Sequence, residues 1–232
     1  MDEISDFTAL EREIGVEFAK KELLGEALTH RSYLNEHREY KGNHNERLEF
    51  LGDAVLELAS TRFLFDTFPA KPEGELTAYR AALVNTNSLA ESAQALNVGE
   101  HLRLSKGEQK DTGRARGIIL ADAFEAIIGA IYLDQGYDAA AAFIARTILA
   151  KLDSLLAKGA HQDAKSRYQE VAQERRGVTP SYKVLAEEGP DHAKRFTVGV
   201  FLGEREAARG DGPSKQEAEQ AAAQAALAAS GW

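Results

Sequence analysis

Apolar residues in the first two-thirds of the chain recur at spacings of three and four, which places them on one face of an α-helix. Five segments carry this pattern: ELLGEALTHRSYL, RLEFLGDAVLELASTRFLF, ELTAYRAALVNTNSLAESAQAL, GIILADAFEAIIGAIYL and AAAFIARTILAKLDSLL. Turn-forming residues separate them at FPAKPEG, NVGE, SKGEQKDTGRARG and DQGYD. No stretch here alternates convincingly with period two, so residues 1–158 are predicted to form an all-α domain.

The pattern changes after residues 159–162, which are predicted to be a linker. AKSRYQEVAQERRG is typical of a helix that ends at Gly177. The segments PSYKVLAEEG, KRFTVGVFLGE and REAARGDG alternate like short strands, and SKQEAEQAAAQAALAAS is an Ala-rich helix with Ser214 as its N-cap. Residues 163–232 are therefore predicted to form a small α+β domain of order α-β-β-β-α.

Composition narrows the function classes. The chain has no cysteine, which excludes disulfides, thiolate catalysis and Cys-ligated zinc. Its start, MDEISDFTALE, lacks the apolar core of a signal peptide, and no apolar run approaches the roughly 18 residues of a membrane span. We therefore expect a cytoplasmic protein with no membrane partner.

The net charge of −9 argues mildly against a nucleic-acid partner. However, residues 1–160 contribute −8 (18 basic, 26 acidic) and residues 161–232 only −1 (10 basic, 11 acidic).

Two of the predicted helices carry carboxylates among their apolar residues. In HNERLEFLGDAVLEL, Glu46, Glu49 and Asp53 are three and then four residues apart, so they share one stripe of a helix. In ILADAFEAIIGAIYLD, Asp122 and Glu125 lie three apart. Apolar residues fill the neighbouring stripes and are expected in the core: Leu48, Leu51, Val55 and Leu58 in the first helix, and Ile118, Ile119, Phe124, Ile127 and Ile128 in the second.

Carboxylates in this setting are expected to be buried and to need neutralising, by protons, by arginine or by a cation. Oxygen ligands without cysteine favour Mg²⁺ or Mn²⁺. The alternative is that both stripes are ordinary solvated faces. A di-iron bundle would need Glu-x-x-His pairs, and Gly52 and Ile128 stand where those histidines would be. Glu57 continues the first acidic stripe, but its position relative to the other acids does not follow from spacing. The histidines show no paired spacing, which argues against metal-free RNA cleavage.

The two acidic segments resemble the two signature motifs of bacterial ribonuclease III. LTHRSY, EGELT and the C-terminal domain, which is similar to double-stranded-RNA-binding domains, extend the resemblance over nearly the whole chain. The resemblance implies that an all-α endonuclease domain holds a metal through four carboxylates, Glu49, Asp53, Asp122 and Glu125. It ties Asp53 and Glu125 most directly to catalysis. It also places Glu46 and Glu73 in the active-site valley.

The resemblance further implies an Mg²⁺-dependent endoribonuclease that hydrolyses double-stranded RNA, with Mn²⁺ able to substitute. A homodimer formed through the catalytic domain would leave 5′-phosphate and 3′-hydroxyl ends with short 3′ overhangs. The implied substrates are ribosomal RNA precursors and other structured transcripts. One alternative is a non-catalytic double-stranded-RNA-binding relative, which would be expected to have lost metal ligands. The other is a small-molecule phosphohydrolase, against which the C-terminal domain argues.

Double-stranded RNA is recognised by shape, through its minor grooves and its phosphates. The resemblance implies that seven positions contact it: Gln169, Glu170 and Gln173 in the first helix of the domain, Gly189, Pro190 and His192 in the β1–β2 loop, and Lys215 at the start of the last helix. Gln216 and Glu219 stand where many such domains carry lysine. We therefore expect fewer phosphate contacts from this helix.

Overall fold

The computed structural model describes residues 7–157, 164–190 and 194–232. The chain divides into two compact units, Met1–His161 and Gln162–Trp232. The predicted linker, residues 159–162, lies outside the described residues, and so do residues 158 and 163. The exact position of the predicted boundary therefore stays a prediction.

The first unit is helical throughout its described part, apart from an isolated bridge between Thr29 and Arg103. The all-α prediction is confirmed. Its helices are α1 Thr8–Ile14, α2 Lys21–Ala27, α3 Arg31–Glu36, α4 Glu46–Thr67, α5 Glu73–Leu83, α6 Thr86–Ala95, α7 Val98–His101, α8 Lys106–Lys110, α9 Arg114–Gln135, α10 Tyr137–Thr147 and α11 Leu152–Ala157, with a 3₁₀ turn at Leu149–Lys151.

Side-chain caps divide two segments that were predicted as single helices. Asn85 accepts a hydrogen bond from the Ser88 backbone N–H at 3.0 Å and starts α6, which separates it from α5. The His30 ring accepts one from the Ser32 N–H at 3.3 Å and starts α3. A cap satisfies an N–H group that a new helix leaves unpaired, so it stabilises a break that apolar spacing alone does not reveal. The predicted break at residues 97–100 largely coincides with the short helix α7, and the predicted break at residues 105–117 contains α8 and the first turn of α9.

Helices α4 and α9 cross so closely that only glycine fits at their junction. A Cβ atom built on Gly52 would lie 1.8 Å from the Glu125 carbonyl oxygen, and one on Gly129 would lie 2.2 Å from the Leu48 carbonyl oxygen. Apolar side chains pack the rest of the junction into the core, including the fully buried Leu56. The mutual position of the two helices is therefore fixed by backbone contact.

Three residues that were predicted to lie in the core do not: Leu51 is only partly buried, and Leu58 and Ile118 are exposed. Leu58 is 58% exposed and Ile118 is 45% exposed, and Phe50 and Phe65 on α4 are 80% and 66% exposed. Helical spacing marks which residues share a face, but it does not say whether that face meets the core of the same chain. In residues 7–157, 164–190 and 194–232, no helix has the length and apolar character needed to cross a bilayer.

The second unit has the predicted order α-β-β-β-α: α12 Ala164–Arg176, β1 Ser181–Glu188, β2 Arg195–Leu202, β3 Arg205–Gly212 and α13 Lys215–Ser230. The strands form an antiparallel sheet in the order β1-β2-β3. The Ser214 side chain caps α13 by accepting a hydrogen bond from the Glu217 N–H at 3.2 Å. A Cβ on Gly210 would lie 2.1 Å from the Ala222 backbone nitrogen, so the Ala-rich helix packs directly against β3.

We predict that Gly129→Ala lowers the free energy of unfolding by roughly 3 kcal/mol, because the added methyl group would force α4 and α9 apart. Chemical denaturation measures this change. Gly117→Ala, in the same helix, is the matched control. A Cβ there would meet nothing within 4 Å, so stability should be unchanged or raised by up to about 1 kcal/mol. Equal stability of the two variants would contradict the close approach.

Candidate active site and RNA-binding surface

The junction of α4 and α9 brings the four predicted metal ligands together. On α4, Glu49 and Asp53 flank Gly52, whose Cα approaches the backbone of Glu125 on α9. Electrostatic repulsion links Glu49 to Asp53 and Asp122, and links Glu125 to all three others. Two segments almost 70 residues apart therefore present one acidic cluster.

The carboxylates are less buried than expected. Asp53 and Glu46 are exposed, and Glu49, Asp122 and Glu125 are partly buried. The crossing glycines bring the two backbones together, but the acidic stripes lie at the rim of the junction, where water reaches them. A rim position leaves the cluster open to ions and to a large substrate.

Burial and mutual repulsion raise the proton affinity of the cluster. Desolvation, followed by the charges of Asp53 and Glu49, raises the pKa of Glu125 to about 8. Desolvation, followed by the charge of Asp122, raises the pKa of Glu49 to about 7. The pKa of Asp122 is also raised, by desolvation and by Glu46. Near neutral pH the metal-free cluster therefore retains protons.

The chemistry of this cluster fits a hard divalent cation. Its donors are carboxylate oxygens, and a cation would relieve the mutual repulsion of these groups. In the described part of the chain, no three His, Asp or Glu side chains already stand in an arrangement that could hold an ion. The four acids are thus close together and have the oxygen donors that a divalent cation prefers, but their side chains do not already form a coordination shell.

Arginines form ion pairs with the two outer acids of the α4 stripe, and the sequence predicted neither pair. Arg31 Nη1 lies 3.1 Å from Glu46 Oε1, and Arg80 Nη1 lies 2.8 Å from Glu57 Oε2. Both arginines lie on other helices, so local spacing carries no signal of these pairs. Glu73, the other predicted valley residue, is exposed at the start of α5 and is not among the groups that act on the pKa values of the cluster.

In the second unit, most of the predicted RNA contacts lie at the surface. Gln169, Glu170 and Gln173 are exposed on α12, on either side of the buried Tyr168 and Ala172. Gly189 and Pro190 are exposed after β1, and Gly189 has φ +91°, a conformation that favours glycine. His192 lies outside the described residues.

The lysines near the start of α13 are held in ion pairs. Lys215 Nζ lies 3.1 Å from Glu187 Oε1 and 5.4 Å from the ring centroid of Phe196. Lys165 Nζ lies 2.7 Å from Glu219 Oε2. Glu219 therefore adds a negative charge and also ties up a neighbouring cation.

Comparisons with known proteins agree with this architecture. Residues 20–152 match the family model described as Ribonuclease-III-like, and residues 164–229 match the double-stranded RNA binding motif. The chain belongs to the ribonuclease III family. A Ribonuclease 3 from Oceanobacillus iheyensis is 47% identical over 222 residues, which is 96% of this chain and 97% of that one. A Ribonuclease 3 from Geobacillus kaustophilus is 49% identical over 224 residues, covering 95% and 89%.

Solved structures agree with the helical unit. A crystal structure of the nuclease domain of ribonuclease III from Campylobacter jejuni is 43% identical, with a TM-score of 0.57, and covers 63% of this chain and 96% of that one. Another structure of that domain is 44% identical with a TM-score of 0.56, covers 62% and 96%, and is described as showing flexibility in a region involved in dimer formation. The predicted fold and the enzyme class are confirmed: this is a ribonuclease III family nuclease with a double-stranded-RNA-binding domain.

We predict that the metal-free enzyme loses stability as pH rises from about 4.5 to about 8. Over this range unfolded glutamates ionise while Glu49 and Glu125 of the folded state retain protons, so unfolding releases protons and higher pH favours it. Thermal unfolding in a chelator measures the slope. Glu125→Gln should flatten it, and Glu100→Gln, an exposed control on α7, should not. A wild-type melting temperature that is constant from pH 5 to 8 would contradict this.

Proposed function

We propose that the enzyme hydrolyses phosphodiester bonds in double-stranded RNA at a divalent-metal centre formed by Glu49, Asp53, Asp122 and Glu125. The main support is the meeting of these acids at the α4–α9 junction, with raised pKa values for Glu49, Asp122 and Glu125. The family to which the chain belongs uses a divalent metal. Oxygen donors alone favour Mg²⁺ as the ion in the cell, and Mn²⁺ should substitute. Retention of all four acids argues against a non-catalytic relative.

When bound, the metal supplies an activated water and relieves charge on the phosphate. Asp53 and Glu125 are the residues that we assign most directly to catalysis. Because desolvation and neighbouring charges raise the pKa of Glu125 to about 8, Glu125 loses a proton when a cation binds, and metal affinity should rise with pH. In the net reaction the water oxygen bonds to phosphorus, the bond to the 3′ oxygen breaks, and that oxygen takes up a proton. The products carry 5′-phosphate and 3′-hydroxyl ends.

The exposed apolar side chains of α4 support a homodimer. Phe50, Leu58 and Phe65 lie on one side of the helix and are 80%, 58% and 66% exposed. Large exposed apolar groups mark interaction surfaces, and a second copy of the chain would bury them symmetrically. The similar nuclease domain described with a dimer-forming region supports this assignment. Two centres in one dimer would cut the two antiparallel strands and leave short 3′ overhangs.

We assign RNA recognition to the second unit, where Gln169, Glu170 and Gln173 would contact one minor groove and the loop containing Gly189, Pro190 and His192 another. Lys215 would contact phosphate once it leaves Glu187. Ribosomal RNA precursors and other structured transcripts in the cytoplasm are the substrates that we propose. The exposed amide side chains on α12 support this assignment, since double-stranded RNA is recognised largely through its minor groove.

We predict that Glu125→Gln lowers the cleavage rate of an RNA duplex by roughly a thousandfold while duplex affinity in a gel shift stays near that of the wild type. The change keeps the shape of the side chain but removes a charge from the metal centre, far along the chain from the RNA-binding unit. Glu100→Gln is the matched control and should cleave normally. Wild-type cleavage in excess chelator, or products ending in 2′,3′-cyclic phosphate, would overturn the proposed chemistry.

We predict that the enzyme sediments as a dimer at micromolar concentration and that Phe65→Asp shifts it towards monomers. The substitution would place a charge in the apolar surface that a second copy is proposed to cover. Val184→Asp, at an exposed apolar position of β1 in the second unit, is the control and should leave the mass unchanged. A monomeric wild-type enzyme would refute the assignment.

We predict that lysine at both Gln216 and Glu219 tightens duplex binding and steepens the slope of log affinity against log salt by roughly one to two units. The double change adds cations at the start of α13 and removes the carboxylate that Lys165 contacts. By contrast, Gln169→Ala should weaken binding without altering the slope, because an uncharged contact releases no counterions. Unchanged affinity and slope in the double variant would mean that the start of α13 does not face phosphate.

A further inference from the structure

Glu57 is the acid of the α4 stripe that the four-carboxylate centre leaves out. It lies one helical turn after Asp53, on the side of α4 that faces α5. Arg80 Nη1, on α5, lies 2.8 Å from Glu57 Oε2 and donates to Thr61 Oγ1, also at 2.8 Å. One guanidinium thus bridges α5 to two successive turns of α4.

This ion pair lies close to the centre. The charge of Glu57 acts on Glu125, together with those of Asp53, Glu49 and Asp122. Glu57 also follows Asp53 by four residues on the same stripe of α4, which makes it the fifth acid beside the cluster. A free carboxylate at this distance would repel Glu125 more strongly and would offer a bound cation another oxygen ligand.

The two arginine–glutamate pairs that flank the centre differ in exposure. Arg31 and Glu46 are 69% and 45% exposed, so water and salt screen that pair strongly. Arg80 and Glu57 are 33% and 39% exposed, and Thr61 Oγ1 accepts a hydrogen bond from the same guanidinium nitrogen. The Arg80–Glu57 pair is thus the more firmly held, and its charges are the less screened.

We propose that Arg80 is a positioning residue of the metal centre. Arg80 holds Glu57 in an ion pair and offsets its charge, and it thereby sets the affinity of the centre for the cation. The inference rests on the proposed function and adds a residue to it. Arg80 touches neither substrate nor reacting atoms. It acts through Glu57.

The net charge of the pair determines whether each variant binds a cation more or less tightly. The intact pair carries no net charge. Arg80→Gln leaves an uncompensated carboxylate beside the centre, which attracts a divalent cation. Glu57→Gln leaves an uncompensated guanidinium, which repels it. The double variant is again neutral. If the ion pair only held α5 against α4, either single change would break it, and both would shift the affinity for the cation in the same direction.

The test is direct binding of Mn²⁺ to the full-length enzyme without RNA, measured at low salt from the electron paramagnetic resonance signal of free Mn²⁺. Arg80→Gln should tighten binding and Glu57→Gln should weaken it, each by roughly fivefold to tenfold. The double variant should return to within about twofold of the wild type. Arg80→Lys keeps the charge and should bind Mn²⁺ much as the wild type does.

Matched controls come from the second unit, where Arg209 and Glu206 form an exposed ion pair. Arg209→Gln and Glu206→Gln make the same changes in net charge and should leave Mn²⁺ affinity unchanged. Should they move the affinity as far as the changes at Arg80 and Glu57 do, the effect would belong to total charge and the proposal would fall. It would also fall if Arg80→Gln and Glu57→Gln shifted the affinity in the same direction.

Glu125→Gln separates this inference from the proposed function. Loss of Mn²⁺ binding in that variant supports the metal centre, whatever the changes at Arg80 do. If binding depends on Glu125 but ignores Arg80 and Glu57, only the positioning role fails. If Glu125→Gln binds Mn²⁺ as tightly as the wild type, the metal centre itself is misassigned.

Discussion

The backbone contact between α4 and α9 at Gly52 and Gly129 is the constraint on which the rest of the first unit depends. A side chain at either position would collide with the carbonyl oxygen of the other helix, so the helices can meet at this depth only through glycine. Close approach fixes rotation and register together. It therefore decides that the acids on either side of Gly52 face those of α9.

The same contact brings like-charged carboxylates together, and their repulsion is reduced in more than one way. Sequence alone left protons, arginine and a cation open as means of neutralising the acids. The outer acids, Glu46 and Glu57, are paired with arginine from other helices. Raised pKa values show that the inner acids Glu49 and Glu125 retain protons near neutral pH when no metal is bound. Arginine thus offsets charge at the two ends of the α4 stripe, and exchangeable protons offset it at the centre, where a cation could replace them.

Sequence reasoning succeeded where the signal was local. The apolar stripes of α4 and α9, the acids at spacings of three and four, and the Ser214 cap of α13 are all encoded within a few residues. It failed where the deciding partner was distant. The pairing of Arg80 with Glu57 spans α5 and α4 and has no signature in either segment. The exposure of Leu58 was not predicted for a related reason. An apolar residue gives the same sequence pattern whether it packs in the core of its own chain or lies on the surface.

The second unit follows the same rule of cancelled charge, with a different consequence. Lys215 and Lys165 are each paired with a glutamate, so their electrostatic attraction for phosphate is reduced. A phosphate that takes up either lysine must displace a carboxylate and leave that carboxylate beside the RNA, which reduces the net gain. An uncharged group that contacts RNA leaves no uncovered carboxylate behind. Recognition by this unit should therefore depend more on how well the exposed amides of α12 fit a minor groove than on total positive charge, which reconciles an RNA-binding domain with a chain of net charge −9.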